Sequence, residues 1–208
     1  MYSRAIEQKK SSLALSQVQR EVLIGLLLGD AHLETQNNGR TYRLKLEYSM
    51  KQCEYARHVY GLYKEWILTP PQEKHDGTHN NIWCQTLSHS AFRYYAHQFY
   101  SKGVKCVPEN IHRFMNARSI AYWFMDDGSM KSRESKGVLL NTQCFARNEV
   151  QRLIAVLRSR FDLEAGERRQ REGYQIYISG RSHARFSSIV GPYLQPSMLY
   201  KMPVDRLT

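Results

Sequence analysis

Residues 119–128 read Ser119-Ile120-Ala121-Tyr122-Trp123-Phe124-Met125-Asp126-Asp127-Gly128, and residues 22–31 read Val22-Leu23-Ile24-Gly25-Leu26-Leu27-Leu28-Gly29-Asp30-Ala31. Each is an apolar run of helical length that stops at a carboxylate. An ionised Asp is rarely buried unless it is paired or bound to metal. A helix C-terminus, already partly negative, is a poor place for one. Two such helices in one basic chain point to a carboxylate pair that holds metal against nucleic acid.

The rest of the composition agrees. The 208 residues carry 30 Lys+Arg against 19 Asp+Glu, a formal +11. Such a balance is the electrostatic footprint of a protein whose partner carries phosphates. No stretch approaches the roughly 20 apolar residues of a membrane span, so no membrane partner is expected. Cys53, Cys84, Cys106 and Cys144 are widely spaced. They read as reduced core thiols of an intracellular protein, with neither a disulfide framework nor a zinc site. The stretch to Ser16 is polar and has no signal-peptide core. Met1 to Ser12 is read as partly disordered, with no function assigned.

Working outward from the two runs exposes a repeat. Asp127 lies 97 residues after Asp30 (127 − 30). Lys105-Cys106-Val107-Pro108 follows the first acid by 75 residues (105 − 30), and Lys201-Met202-Pro203 follows the second by 74 (201 − 127). Ser88-His89-Ser90-Ala91-Phe92 is answered by Ser182-His183-Ala184-Arg185-Phe186, and the run from Glu54 to Ile67 by Asn148 to Phe161. A long period present twice is a duplicated half-domain, not a solenoid. The junction falls near Pro108 to Arg118, giving half-domains 1–112 and 113–208.

Each half predicts an α+β unit of the order αββαββα. In the first, a helix from about Gln17 to Gly29 precedes a strand, the hairpin signal Asn37-Asn38-Gly39 and a strand from Tyr42 to Met50. That strand alternates Leu44, Leu46 and Tyr48 with Arg43, Lys45 and Glu47. A helix from Glu54 to Leu68 stops before Pro70-Pro71. A hairpin near His75-Asp76-Gly77 returns through Ile82 to Gln85, and a helix from His89 to about Tyr100 ends the half. The second half predicts the motif helix to Asp127, a strand Gly137 to Gln143 and a helix Asn148 to Phe161. A hairpin over Gly166 to Gly173, a strand Tyr174 to Ser179 and a helix from Ser182 complete it. Two histidines, His75 and His79, around a glycine turn read as a plain hairpin.

The polar strand face carries Arg43, Lys45, Gln85, Asn141, Gln143 and Gln175. Such side chains can reach base edges and phosphates in a major groove, which admits a β-ribbon. Arg40, Lys131, Arg133, Arg168, Arg169 and Arg171 lie in or beside the turns and are expected to contact the DNA backbone. The same pattern on an ordinary sheet would be a solvated face.

The repeat turns two isolated acids into a candidate site. Gly25 and Gly29, four apart on one helix face, permit close backbone approach between the motif helices. Two adjacent carboxylates repel unless a cation lies between them, and oxygen-only ligands favour Mg²⁺ or Mn²⁺. Such a site can generate hydroxide and stabilise the oxygens of a phosphodiester displacement. Lys105 and Lys201 are suited to stabilising charge that develops on the phosphoryl group.

Leu23 to Ala31 and Ile120 to Gly128 resemble the nine-residue motifs of the LAGLIDADG homing endonucleases, and the resemblance runs from about Gln17 onward. It is most like the single-chain, two-motif group, carried by Tyr122 to Gly128, Leu140-Asn141-Thr142-Gln143 and Tyr200-Lys201-Met202-Pro203. The resemblance implies a monomeric DNA endonuclease that makes a staggered double-strand cut in a long asymmetric site. It implies two β-sheets forming a DNA-binding saddle, with the motif helices at the interface. It makes Asp30 and Asp127 the catalytic metal ligands, with Mg²⁺ as cofactor and Mn²⁺ as substitute, and gives Asp126 no such role. Lys105 and Lys201 align with active-site lysines. Glu47 and Asn141 align with supporting positions that organise water or a lateral metal.

The match has departures. Leu28 and Met125 stand where the motif's first acid would be, Tyr122 replaces its first glycine, and Ala31 the terminal glycine of the first copy. The resemblance implies double-stranded DNA as partner, with intron RNA as a second candidate and no obligate protein partner. It also implies an organelle-encoded product of a mitochondrion or chloroplast. An RNA-binding maturase and a regulator that has lost cleavage are the alternatives. Retention of both acids and both lysines favours the nuclease.

Overall fold

The structure, a computed structural model, describes residues 2–203. Chain order begins with α1 (Tyr2–Ser12), α2 (Gln17–Leu28), β1 (His32–Glu34), β2 (Arg43–Ser49), α3 (Cys53–Leu62), β3 (Gln72–Asp76), β4 (His79–Gln85) and α4 (Arg93–Phe99). A short hairpin, β5 (Tyr100–Ser101) and β6 (Val104–Lys105), leads to α5 (Ala117–Asp127), β7 (Gly128–Met130) and β8 (Val138–Leu140). Then come α6 (Arg147–Phe161), β9 (Ala165–Gln170), β10 (Gly173–Ile178) and α7 (His183–Val190). The fold is α+β. From α2 to α4 and again from α5 to α7 the order is αββαββα, as the repeat predicts.

The two antiparallel sheets share one topology, β1-β2-β4-β3 and β7-β8-β10-β9. In the first, the Asn37-Asn38-Gly39 turn works as read, because Asn38 and Gly39 take positive φ of 54° and 79°. Leu44, Leu46 and Tyr48 of β2 and Ile82 and Cys84 of β4 are buried. They face α3, which brings Tyr55, Ala56 and Val59 onto the sheet. In the second sheet Val138, Leu140, Ile176 and Ile178 are buried, under an α6 face built from Val150, Leu153, Ile154 and Leu157. Phe92 and Phe186, equivalent in the repeat, are both fully buried.

The described residues form two compact units, 2–20 with 30–97, and 21–29 with 98–203. The units cut across the repeat, because most of the first motif helix is built into the second unit.

Local differences from the sequence reading have physical causes. Tyr2–Ser12 is helical rather than disordered, held by a Lys10–Glu7 ion pair at 2.9 Å and by His89 Nε2 against the Lys10 carbonyl at 3.0 Å; Met1 lies outside the described residues. The helix expected to reach Leu68 ends at Leu62, followed by a 3-10 turn over Lys64–Trp66. Gln19 explains the stop: its Nε2 donates to the Leu62 carbonyl at 2.7 Å, and its own carbonyl accepts from the Tyr63 hydroxyl at 2.6 Å. β8 ends at Leu140 rather than Gln143, because Thr142 turns inward to donate to the Tyr174 carbonyl at 2.7 Å. The histidine segment is a hairpin. The cysteines are free, yet only Cys84 is buried and Cys144 is exposed, so the reading of all four as core thiols is corrected.

Candidate nucleic-acid cleavage site

Both motif helices start on reciprocal caps. Ser16 and Gln19 exchange hydrogen bonds at 2.9 and 3.2 Å at the start of α2. Asn116 and Ser119 do the same at 2.8 and 2.9 Å before α5. Such boxes satisfy amides that a helix start leaves orphaned, and each is worth about 1 kcal/mol.

Within the second unit, Gly25 and Gly29 lie directly on α5. A Cβ added at Gly25 would meet Tyr122 Cβ at 2.7 Å and the Trp123 amide nitrogen at 2.9 Å; one at Gly29 would meet Asp126 Cβ at 2.5 Å. Gly25 therefore accommodates Tyr122, which solves the packing problem raised by the loss of the motif's first glycine in the second copy. Tyr122 is 4% exposed, and burial pushes its phenol up to about 12. Arg118 joins the contact: it pairs with Glu21 of the first motif helix and lies 4.9 Å over the Tyr193 ring. Asp126 is buried at 6% exposure, while Asp127, the last residue of α5, is half-buried and Asp30 is exposed. The neighbouring acids are thus sorted, Asp126 into the helix contact and Asp127 toward the surface.

The lysines have a role that spacing alone did not reveal. Lys105 Nζ donates to the Gly29 carbonyl at 2.5 Å. Lys201, only 9% exposed, donates to the carbonyls of Met125 and, at 2.7 Å, of Asp126. Each amine caps the C-terminal end of a motif helix, where unsatisfied carbonyls and the helix dipole favour a cation.

Around Asp127 the second unit gathers several of the expected residues. The Asn141 amide donates to the Asp127 carbonyl at 3.1 Å. The Asn141 side chain accepts from Gln175 at 2.6 Å, and Gln175 in turn accepts from Gln170 at 2.9 Å. Cys144, exposed as a residue but with its thiol partly covered, is raised above the ordinary value by that cover, while Lys105 opposes the shift and Asp127 adds to it. In the first unit Glu47 accepts from Asn81 at 2.9 Å and from Lys74 at 3.5 Å. The Asn81 bond, with Lys74 and Lys45 nearby, holds the Glu47 carboxyl below the usual range.

Strand register sorts the expected DNA contacts by face. Lys45 pairs with Gln85 and Glu47 with Trp83, on the face opposite α3. Arg43 shares that face but is engaged, its Nε and Nη2 donating to Glu34 at 3.0 and 2.9 Å; Glu34 also lies 3.7 Å from Lys45. On the second sheet the same open face carries Gln175, Arg168 opposite it, and Tyr177, over which Lys131 lies at 5.0 Å. Arg169 is opposite Tyr174, and Tyr174 stacks on Arg147 of α6 at 4.9 Å. Arg169 therefore shares the helix side of the sheet, and its grouping with Arg168 is corrected. Gln143 belongs to a turn rather than a strand, and Arg40, Arg133 and Arg171 are exposed in loops. Glu34 and Asn81 are the partners that reading the sequence missed; only cross-strand register could have supplied them.

The donor chemistry of Asp30 and Asp127 fits a hard divalent cation. Among the described residues no group of three or more His, Cys, Asp or Glu is assembled to hold a metal. Each carboxylate by itself would supply part of a shell, with water and phosphate oxygens as the remainder, which is the ordinary habit of Mg²⁺. No helix among the described residues is long and apolar enough to cross a membrane.

Residues 20–186 match the model of the LAGLIDADG DNA endonuclease family. A probable intron-encoded endonuclease 1 of Wickerhamomyces canadensis is 32% identical over 206 residues, covering 94% of this chain and 88% of that one. The DNA endonuclease I-ChuI of Chlamydomonas applanata is 27% identical, covering 91% and 96% of the two chains. The solved structure of the homing endonuclease I-WcaI bound to its DNA recognition sequence superposes with a TM-score of 0.90 at 29% identity, covering 96% of this chain and 92% of that chain.

Proposed function

Since the chain belongs to the LAGLIDADG DNA endonuclease family, we propose that it is a site-specific homing endonuclease. Acting as a monomer, it binds a long asymmetric duplex and makes a staggered double-strand cut by metal-assisted hydrolysis. The observation that carries this reading is the duplicated helix end: each motif helix is capped by a lysine, and each is followed or closed by an acid at the equivalent position. The relatives named above bear endonuclease names, which favours cleavage over the maturase alternative.

Asp30 and Asp127 would hold the divalent cation, Mg²⁺ with Mn²⁺ as substitute. When bound, it would lower the pKa of a water and offset charge on the phosphodiester oxygens. Asp127 is kept toward the surface because Asp126 occupies the helix contact beside Gly29. Lys105 and Lys201 fix the helix ends and bring positive charge to the phosphate being cut. Glu47 and Asn141 hold their side chains by neighbours on the same sheet face, one as an ionised acceptor and one as an amide. Lys45, Gln85, Arg168 and Gln175 of the open faces read or grip the duplex, with Arg43 as a member already tied to Glu34. The half-domains 1–112 and 113–208 then correspond to the two half-sites. The intron-encoded relatives support an intron-encoded origin, and with it expression inside an organelle.

Incubating the protein with a randomised duplex library, with Mg²⁺ and with chelator, tests the proposal. Recovery of a single long non-palindromic site cut only with metal is expected; no cleavage of any member in either Mg²⁺ or Mn²⁺ would refute it.

A further inference from the structure

The open face of the first sheet holds a cleft with one apolar wall. Register aligns Gln72, Trp83 and Glu47 in one row across it. Leu46 pairs with Cys84 in the first sheet as Leu140 pairs with Ile176 in the second, so the corresponding second row is Arg168, Gln175 and Asn141. Trp83 is an indole where the other sheet has an amide. Together with Leu68, Pro70 and Leu87 it forms the apolar wall of an open cleft of about 260 Å³, whose remaining lining is mostly polar and includes Arg43, Gln72, Gln85 and Thr86. Leu68 is 43% exposed. The core of this sheet lies on its other face, under α3.

We propose that the cleft receives the 5-methyl group of a thymine, and that one half-site therefore depends on a thymine while the matching position of the other does not. This rests on the reading of the open faces as DNA-contacting surfaces. The chemistry follows from the groove: thymine alone presents a methyl group there, and apolar side chains are what distinguish it. Gln85 lines the cleft and Lys45 lies opposite it on the neighbouring strand, so base-edge and phosphate contacts would flank the methyl group. Removing one methyl group from water is worth about fourfold in affinity.

The test uses the duplex recovered from the library, with each thymine replaced in turn by deoxyuridine, which lacks only the methyl group. Competition binding to the full-length protein is expected to show about a fourfold loss at a thymine of one half-site. Leu68→Ser, in an exposed loop, and Trp83→Gln, which copies Gln175, should each bind the thymine and deoxyuridine duplexes equally. A flat scan, or a sensitive thymine whose sensitivity survives both variants, overturns the proposal. Gln175→Ala on the second sheet identifies the premise at fault. If it alters base preference while the scan is flat, the face reads DNA but the cleft does not take a methyl group. If it too changes nothing, the reading of the open faces has failed.

Discussion

The amine of Lys201 donates to the main-chain carbonyl of Asp126 at 2.7 Å, the residue before the second candidate metal ligand. This bond ties charge, helix end and acid into one unit, and Lys105 repeats it at Gly29. Replacing Lys201 by Met should therefore cost stability as well as cleavage. Two buried carbonyls lose their cap, at about 1–3 kcal/mol, or a fall in Tm of several degrees at roughly 2–4 °C per kcal/mol. Lys105→Met, at a more exposed end, should lower Tm less. Thermal unfolding of the two variants checks this; equal, negligible shifts would show that the caps are not structural.

Gly25 is a packing requirement and Gly61 is not. Gly25→Ala would press a methyl group against Tyr122 and the Trp123 backbone, with a cost of about 1–3 kcal/mol. Gly61 lies in α3 with nothing within 4 Å of an added Cβ, so Gly61→Ala should gain up to about 1 kcal/mol of helix propensity. Denaturant unfolding should give opposite signs.

Arg168 and Arg169 are neighbours in sequence but face opposite sides of β9. Arg168→Ala should weaken DNA binding and reduce the slope of log affinity against log salt by about 1. Arg169→Ala should leave the slope near that of the parent. Fluorescence anisotropy across a salt series makes the comparison, and equal effects would contradict the register argument.

Glu47 owes its lowered pKa first to Asn81, with Lys74 and Lys45 assisting. A carboxyl depressed in the folded state contributes stability above its unfolded pKa and loses it as pH falls through the folded value. That loss belongs to the acid side of about pH 4.3. Asn81→Ala should move the Glu47 titration upward, as followed by NMR of the side-chain carboxyl. An unmoved titration would assign the effect to the lysines.

Much of the architecture could be read from periodicity and duplication. The alternation of Leu44, Leu46 and Tyr48 is a local property of the chain, as is the Asn38-Gly39 turn, so β2 and its hairpin were foreseen. The roles of Gly25 and Tyr122 were half legible: the glycines promised close approach, but only the packed helices show that Tyr122 uses the space Gly25 leaves. Helix and strand ends were less accessible. Leu62 and Leu140 end their elements because Gln19 and Thr142, distant or turned inward, compete for backbone groups. The Glu34–Arg43 pair and the opposite facing of Arg168 and Arg169 depend on register, which no single strand encodes. At the site the residue types were visible, and the capping by Lys105 and Lys201 was not, because it joins groups 75 or more residues apart.

We propose that Asp127, rather than the buried Asp126, works with Asp30 as a metal-binding catalytic acid. The most direct test is single-turnover cleavage of the selected duplex by Asp127→Asn, with DNA affinity measured in parallel. We expect double-strand cleavage to be abolished while affinity stays within a few fold of the parent, since the substitution keeps size and removes only charge. Cutting of both strands at the parental rate would remove Asp127 from the mechanism.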